Sequence, residues 1–164
     1  MNLTTLALLL LSPLLVWRVY TRLKGMMVRS RSILSRHWTG VLVFAAMVAV
    51  PASELIKRPE MLMWLGVGTA GGIAYGVWGF RKTRREETAE GYFFTPPKRL
   101  GLLIAMLFFA RILYIGIDMY ASTGPATRFT DSPINMLAVG ITAGFFGTIS
   151  AGLARWRMAA KKRA

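Results

Sequence analysis

Five blocks of apolar residues, separated by short polar stretches, make up most of the chain. They run from Leu3 to Tyr20, Trp38 to Ile56, Met61 to Phe80, Leu100 to Tyr120 and Ile134 to Leu153. Each is close to the roughly 20 residues that a helix needs to cross the hydrocarbon core of a bilayer. The pattern fits spanning helices and no soluble fold. It predicts an all-α integral membrane protein with five transmembrane helices in a single membrane domain over residues 1–164. That domain comprises a first helix at 3–20, a hairpin at 38–80, a second hairpin at 100–153 and a basic tail at 154–164.

Charge orients this arrangement. A formal charge of +14 would point to nucleic acid in a soluble protein, but here the basic residues sort by loop. Arg18, Arg22, Lys24, Arg29, Arg31 and Arg36 fall in the first loop. Arg81, Lys82, Arg84, Arg85, Lys98 and Arg99 fall in the third, and Arg155, Arg157, Lys161, Lys162 and Arg163 in the tail. The second loop has only Lys57 and Arg58, and the fourth only Arg128. The positive-inside rule makes the rich side cytoplasmic, giving an N-out, C-in, multi-pass protein of a cell inner membrane. Its expected partners are the bilayer itself, anionic lipids at the cytoplasmic face, and a membrane protein or second copy, with no nucleic acid. Met1 to Thr5 is uncharged and Arg18 follows the first apolar run, so that helix is expected to be retained rather than cleaved as a signal peptide.

The two hairpins resemble each other. Gly40-Val-Leu-Val matches Gly101-Leu-Leu-Ile, and Leu65-Gly-Val-Gly68 matches Leu137-Ala-Val-Gly140, after which Gly72 matches Gly144. A tandem repeat would relate the halves about an axis along the membrane normal, whereas chance likeness of Gly- and Leu-rich helices is the alternative. Gly68, Gly72 and Gly76 line one helix face, and Gly140, Gly144, Thr148 and Gly152 line another. Small residues at this interval let backbones approach closely in lipid, so these faces are read as the packed centre. Between the spans, residues 19–37 suggest an interfacial amphipathic helix. Arg81 to Glu90 suggests a helical extension paired through Arg84 and Glu87, stopped by Thr95-Pro96-Pro97. Loop four, with Gly124, Pro125 and Pro133, reads as an exposed connector.

Few residues offer chemistry. Arg111 lies inside the fourth apolar block, where charge is costly and faces inward by default. Asp118 and Tyr114 share its helix face, and Glu54 lies about one turn further out on the second helix. These four form the candidate intramembrane polar cluster, set against a reading in which Glu54 and Asp118 are interfacial and Arg111 is purely structural. His37 is the lone histidine and the chain has no cysteine. No metal site is therefore expected, no cofactor is predicted, and haem ligation by His37 is the weaker reading against interfacial anchoring beside Trp38. No catalytic residue is assigned: phosphate-cradling loops, nucleophile elbows and His-Glu-x-x-His are missing. An enzyme is not expected, although an intramembrane site around Arg111 stays open.

The basic first loop leading into a Gly-x-Leu span, and Tyr92-Phe-Phe-Thr-Pro-Pro-Lys-Arg before a span containing Arg111, resemble the CcdC family of small bacterial membrane proteins over roughly residues 29–157. The resemblance implies a cytoplasmic-membrane protein associated with cytochrome c biogenesis and carries over no catalytic residue. Three functions follow as expectations: an accessory or assembly factor for membrane redox proteins, a small transporter with its site around Arg111, and a structural subunit of a larger membrane complex.

Overall fold

The computed structural model describes residues 3–26, 28–121 and 128–162. Its helices are α1 (Leu3–Met26), α2 (Leu34–Glu54), α3 (Pro59–Lys82), α4 (Lys98–Ala121) and α5 (Pro133–Lys161). Four helical stretches, Leu34–Lys57, Pro59–Lys82, Lys98–Met119 and Pro133–Lys161, are long and apolar enough to cross a membrane. Many large apolar side chains on them face outward, including Leu42, Val50, Val67, Leu103 and Leu107, as befits helices whose solvent is lipid. Gly124 and Pro125 of the expected connector lie outside the described residues.

The centre is the face-to-face packing of α3 on α5. A Cβ on Gly68 would lie 2.5 Å from the backbone carbonyl oxygen of Leu137, and one on Gly140 would lie 2.6 Å from that of Leu65. Gly72 meets Ile141 in the same way, and Gly144 meets Thr69. The contacts are reciprocal, since matched glycines touch matched residues of the opposite helix: Gly68 meets Leu137 as Gly140 meets Leu65, and Gly72 meets Ile141 as Gly144 meets Thr69. This is the signature of an isologous contact. Gly76 abuts Thr148 and Phe145, and Gly152 abuts the ring of Phe80, so all six predicted packing glycines lie in this seam. Two apolar clusters flank it. Leu55, Leu65, Met136 and Val139 form one, and Ile104, Phe145, Ile149 and Leu153 the other.

The outer helices break this symmetry. α2 lies along α5, with the Phe44 ring stacked on Phe146, while α4 lies against α5 and α1 rather than along α3. Neighbours within each predicted hairpin are therefore not the closest neighbours in space.

The loops differ from expectation at one end. Instead of an amphipathic helix over 19–37, α1 continues to Met26 and Ser30–Arg31 form strand β1 before α2 begins. Instead of a helical extension, residues 84–95 form a hairpin of β2 (Arg84–Thr88) and β3 (Gly91–Thr95). The sheet order is β1-β3-β2, all antiparallel. Thr83 begins the change: its hydroxyl donates to the Gly79 carbonyl at 3.0 Å and its backbone is extended, ending α3. Gly91 adopts φ +128, a conformation open mainly to glycine, and the aromatic run Tyr92-Phe93-Phe94 favours a strand. Arg84 consequently faces Thr95, and Glu87 faces Tyr92, so the predicted Arg84–Glu87 helical pair does not form.

β3 is the hub of this end, pairing with both β1 and β2. Arg29 lies 4.1 Å above the Phe93 ring and Arg157 3.7 Å above Tyr92. His37 is buried beneath it, edge-on to Phe94, sharing a 2.7 Å hydrogen bond between its Nε2 and Ser32 Oγ. It ties helix to sheet and is not the interfacial anchor expected beside Trp38.

Candidate functional site: the Arg111 cleft

α4 approaches α5 at an angle that leaves room between them, and Arg111 stands in that space. Its Nε donates to Asn135 Oδ1 at 2.7 Å and its Nη2 to Ser132 Oγ at 3.2 Å. The guanidinium also sits over the Tyr114 ring, 5.2 Å from the centroid. Both acceptors belong to the start of α5, so Arg111 leaves the middle of its own helix and reaches along it toward the end opposite the sheet, as long basic side chains do in membranes.

The local sequence explains the partners. Pro133 occupies the first turn of α5, where a missing N–H costs nothing. The Ser132 hydroxyl makes no capping bond to the helix and is free to accept from Arg111. Asn135, only 4% exposed, accepts from Arg111 and donates its Nδ2 to the Phe129 carbonyl at 2.8 Å. A buried amide satisfied on both sides is rigid, and it fixes the guanidinium in turn.

Arg111 lines two cavities. One, of about 190 Å³, is polar and opens toward the loop end, where Tyr114, Asp118, Arg128 and Asp131 join it. The other, of about 270 Å³, is almost wholly apolar and runs toward the sheet between Ile104, Leu107, Phe108, Leu137 and Ile141. A cation held at the junction of a polar and an apolar space, by two neutral acceptors, suits the charged end of an otherwise apolar anion.

Of the predicted cluster, Arg111, Tyr114 and Asp118 share one cavity. Glu54 does not: it is exposed and lines a neighbouring space with Arg58, which shares Arg128 and Phe129 with the Arg111 cavity. The reason is helical placement, because α2 packs along α5 and α4 stands apart from it. Asn135 and Ser132 were missed in the sequence reading. The available signal was a lone amide within an apolar run immediately after Ser-Pro.

An ion pair closes the rim. Arg58, at the start of α3, pairs with Asp131. The Arg58 hydrogen bond holds the Asp131 carboxyl below the usual carboxylate range, aided by the Arg128 backbone N–H at 3.3 Å. With the folded value depressed, the pair's contribution is fully present above the ordinary carboxylate pKa and is lost only as pH falls through the lowered one. Hydrogen exchange of residues 128–136 should be flat from pH 7 to about 5 and should rise only below about pH 4, after correction for intrinsic exchange. Asp131→Asn should remove that acid step.

Among the described residues no group of three His, Asp or Glu side chains is placed to hold a metal ion. No family model, curated protein or solved structure matches this chain.

Proposed function

We propose that the chain is a non-catalytic, five-span, N-out, C-in protein of a bacterial inner membrane, whose working part is the α4–α5 cleft. There Arg111 receives the carboxylate or phosphate of a ligand with an apolar body. The observation that carries this reading is the position of the guanidinium, immobilised by Asn135 and Ser132 at the junction of a polar and an apolar cavity. Retaining or presenting such a ligand to membrane redox proteins is the accessory role that the CcdC-like resemblance suggests.

Transport is the second reading. It is favoured by the way the two cavities continue each other past Arg111, so that displacing one side chain would join them.

The purified full chain tests the site with three probes of equal chain length: dodecanoate, dodecyl phosphate and neutral dodecanol. The two anions should bind, and Arg111→Leu should weaken them tenfold or more, the worth of a charge-assisted hydrogen bond, while dodecanol is unaffected. Equal loss for all three probes would refute the charge-reading role. Proteoliposomes loaded with the same anions then separate the functions: a transporter moves them across the bilayer, and an accessory factor holds them and co-purifies with protein partners.

A further inference from the structure

A second groove lies on another face of the molecule, away from Arg111. At the sheet end a cavity of about 520 Å³ lies beside the α3–α5 contact, walled by Val77, Phe80 and Trp156 and edged by Arg85 and Arg155. Further along, a shallow trough of about 410 Å³ runs between α2, α3 and α5, past Phe44, Val48 and Ile73. Thr148 and Ala151 line both spaces, so the two adjoin along α5. The floor, from Ala143 to Ala159 on α5, extends about 24 Å at 1.5 Å per residue, more than the roughly 15 Å depth of one leaflet's hydrocarbon.

The two ends of this groove differ in chemistry. Along its length it is apolar, and its floor is formed by the small side chains of Thr148 and Ala151, which leave space for a chain of methylenes. At the sheet end it finishes between two exposed guanidiniums. Arg85 is held there by strand β2, stacked 4.8 Å from the Phe80 ring, and Arg155 by the last turns of α5. Nearby, Lys82 lies 4.4 Å over Trp78, an amphipathic pair of the kind found where hydrocarbon meets headgroups. A long apolar slot closed by two cations at the polar boundary is complementary to one lipid class.

We infer that this groove is a binding site for a single anionic phospholipid, with an acyl chain lying along α5 and the phosphate of the headgroup between Arg85 and Arg155. The site is independent of the Arg111 cleft, which opens on the α4 side of α5 and takes its ligand at the opposite end. Its occupant supplies atoms that the helices themselves do not, filling the cavity beside α3 and α5 at the sheet end and the shallow trough between α2, α3 and α5 beyond it.

Native mass spectrometry of the full chain in mild detergent, titrated with phosphatidylglycerol or phosphatidylcholine of identical acyl chains, tests this. One phosphatidylglycerol should be retained with about a 20-fold preference, as expected from two basic residues near a headgroup. Replacing both arginines (Arg85→Gln with Arg155→Gln) should reduce that preference to near unity while leaving weak binding of both lipids. Ala151→Phe, which fills the groove from an exposed position, should lower retention of both lipids about tenfold at unchanged thermal stability. A charge-matched control, Arg18→Gln together with Arg22→Gln on α1, should change nothing. Equal retention of the two lipids by the native chain overturns the inference. So does an unaltered preference without Arg85 and Arg155, or displacement of phosphatidylglycerol by millimolar inorganic phosphate, which would identify a site for the free anion.

Discussion

Gly72→Leu is expected to prevent α3 and α5 from closing on each other and to leave little folded protein. A Cβ at Gly72 would meet the backbone of Ile141, which has no rotamer with which to yield. The helices would have to part, and the seam that buries Leu65, Met136 and Phe145 would be lost with them. Overpacking of this kind costs about 3 kcal/mol or more, a large fraction of the stability of a small domain. In lipid nothing replaces the lost contacts, because apolar surface alone gives helices little reason to associate. Gly144→Leu should do the same, since it meets Thr69 in the reciprocal position. Gly66 and Gly71 have open space where a Cβ would go, so Gly71→Ala should be neutral or slightly stabilising through helix propensity. Thermal denaturation in detergent reads all three variants, and a similar midpoint for Gly72→Leu and Gly71→Ala would contradict the packing described.

Asn135→Leu is the second large effect. It removes the Nε acceptor of Arg111 and the donor to the Phe129 carbonyl in one step. Each group left behind carries a desolvation penalty of roughly 1–3 kcal/mol, larger for the charged one, so a loss of about 3 kcal/mol is expected. The double variant Arg111→Leu with Asn135→Leu should recover part of that, because no charge is then stranded. A strongly non-additive cycle is the mark of a direct partnership. Additive losses, measured as shifts in midpoint, would mean that Arg111 has found other support.

The membrane-spanning stretches and the glycine faces were legible because each rests on a property that lipid enforces uniformly: long apolar runs, and small residues wherever backbones touch. Arg111 was legible for the same reason, as a charge where lipid tolerates none. Its partners were not. Helical periodicity relates residues on one helix, and it placed Tyr114 and Asp118 correctly beside Arg111. Which neighbouring helix faces them depends on how α4 and α2 lean on α5, and the assumption that α2 and α4 start level and face each other brought in Glu54 in place of Asn135 on α5. The sheet was hidden by its composition. Arg84 to Glu87 is a charged run with good helix formers, and only Gly91 and the aromatic residues after it argue for a hairpin. Tertiary context supplied the rest: β1 pairs with β3, and Arg29 bonds Glu86 at 2.9 Å across the sheet.

That sheet also governs how the molecule can bend. It joins the chain between α1 and α2 to the chain between α3 and α4, so the helix ends near it are fixed together by backbone pairing, while the far ends are bridged by side chains, Arg58 to Asp131 and Arg111 to Asn135 and Ser132. α4 is therefore a lever with its fulcrum at the sheet. It is about 36 Å long, and a tilt of about 10° would swing its free end by about 6 Å and carry Arg111, some 20 Å along it, by about 3 Å. That travel is enough to part a 2.7 Å hydrogen bond while the fulcrum hardly moves. Any parting of α4 from α5 at that end would first have to break the Arg111 bonds to Asn135 and Ser132.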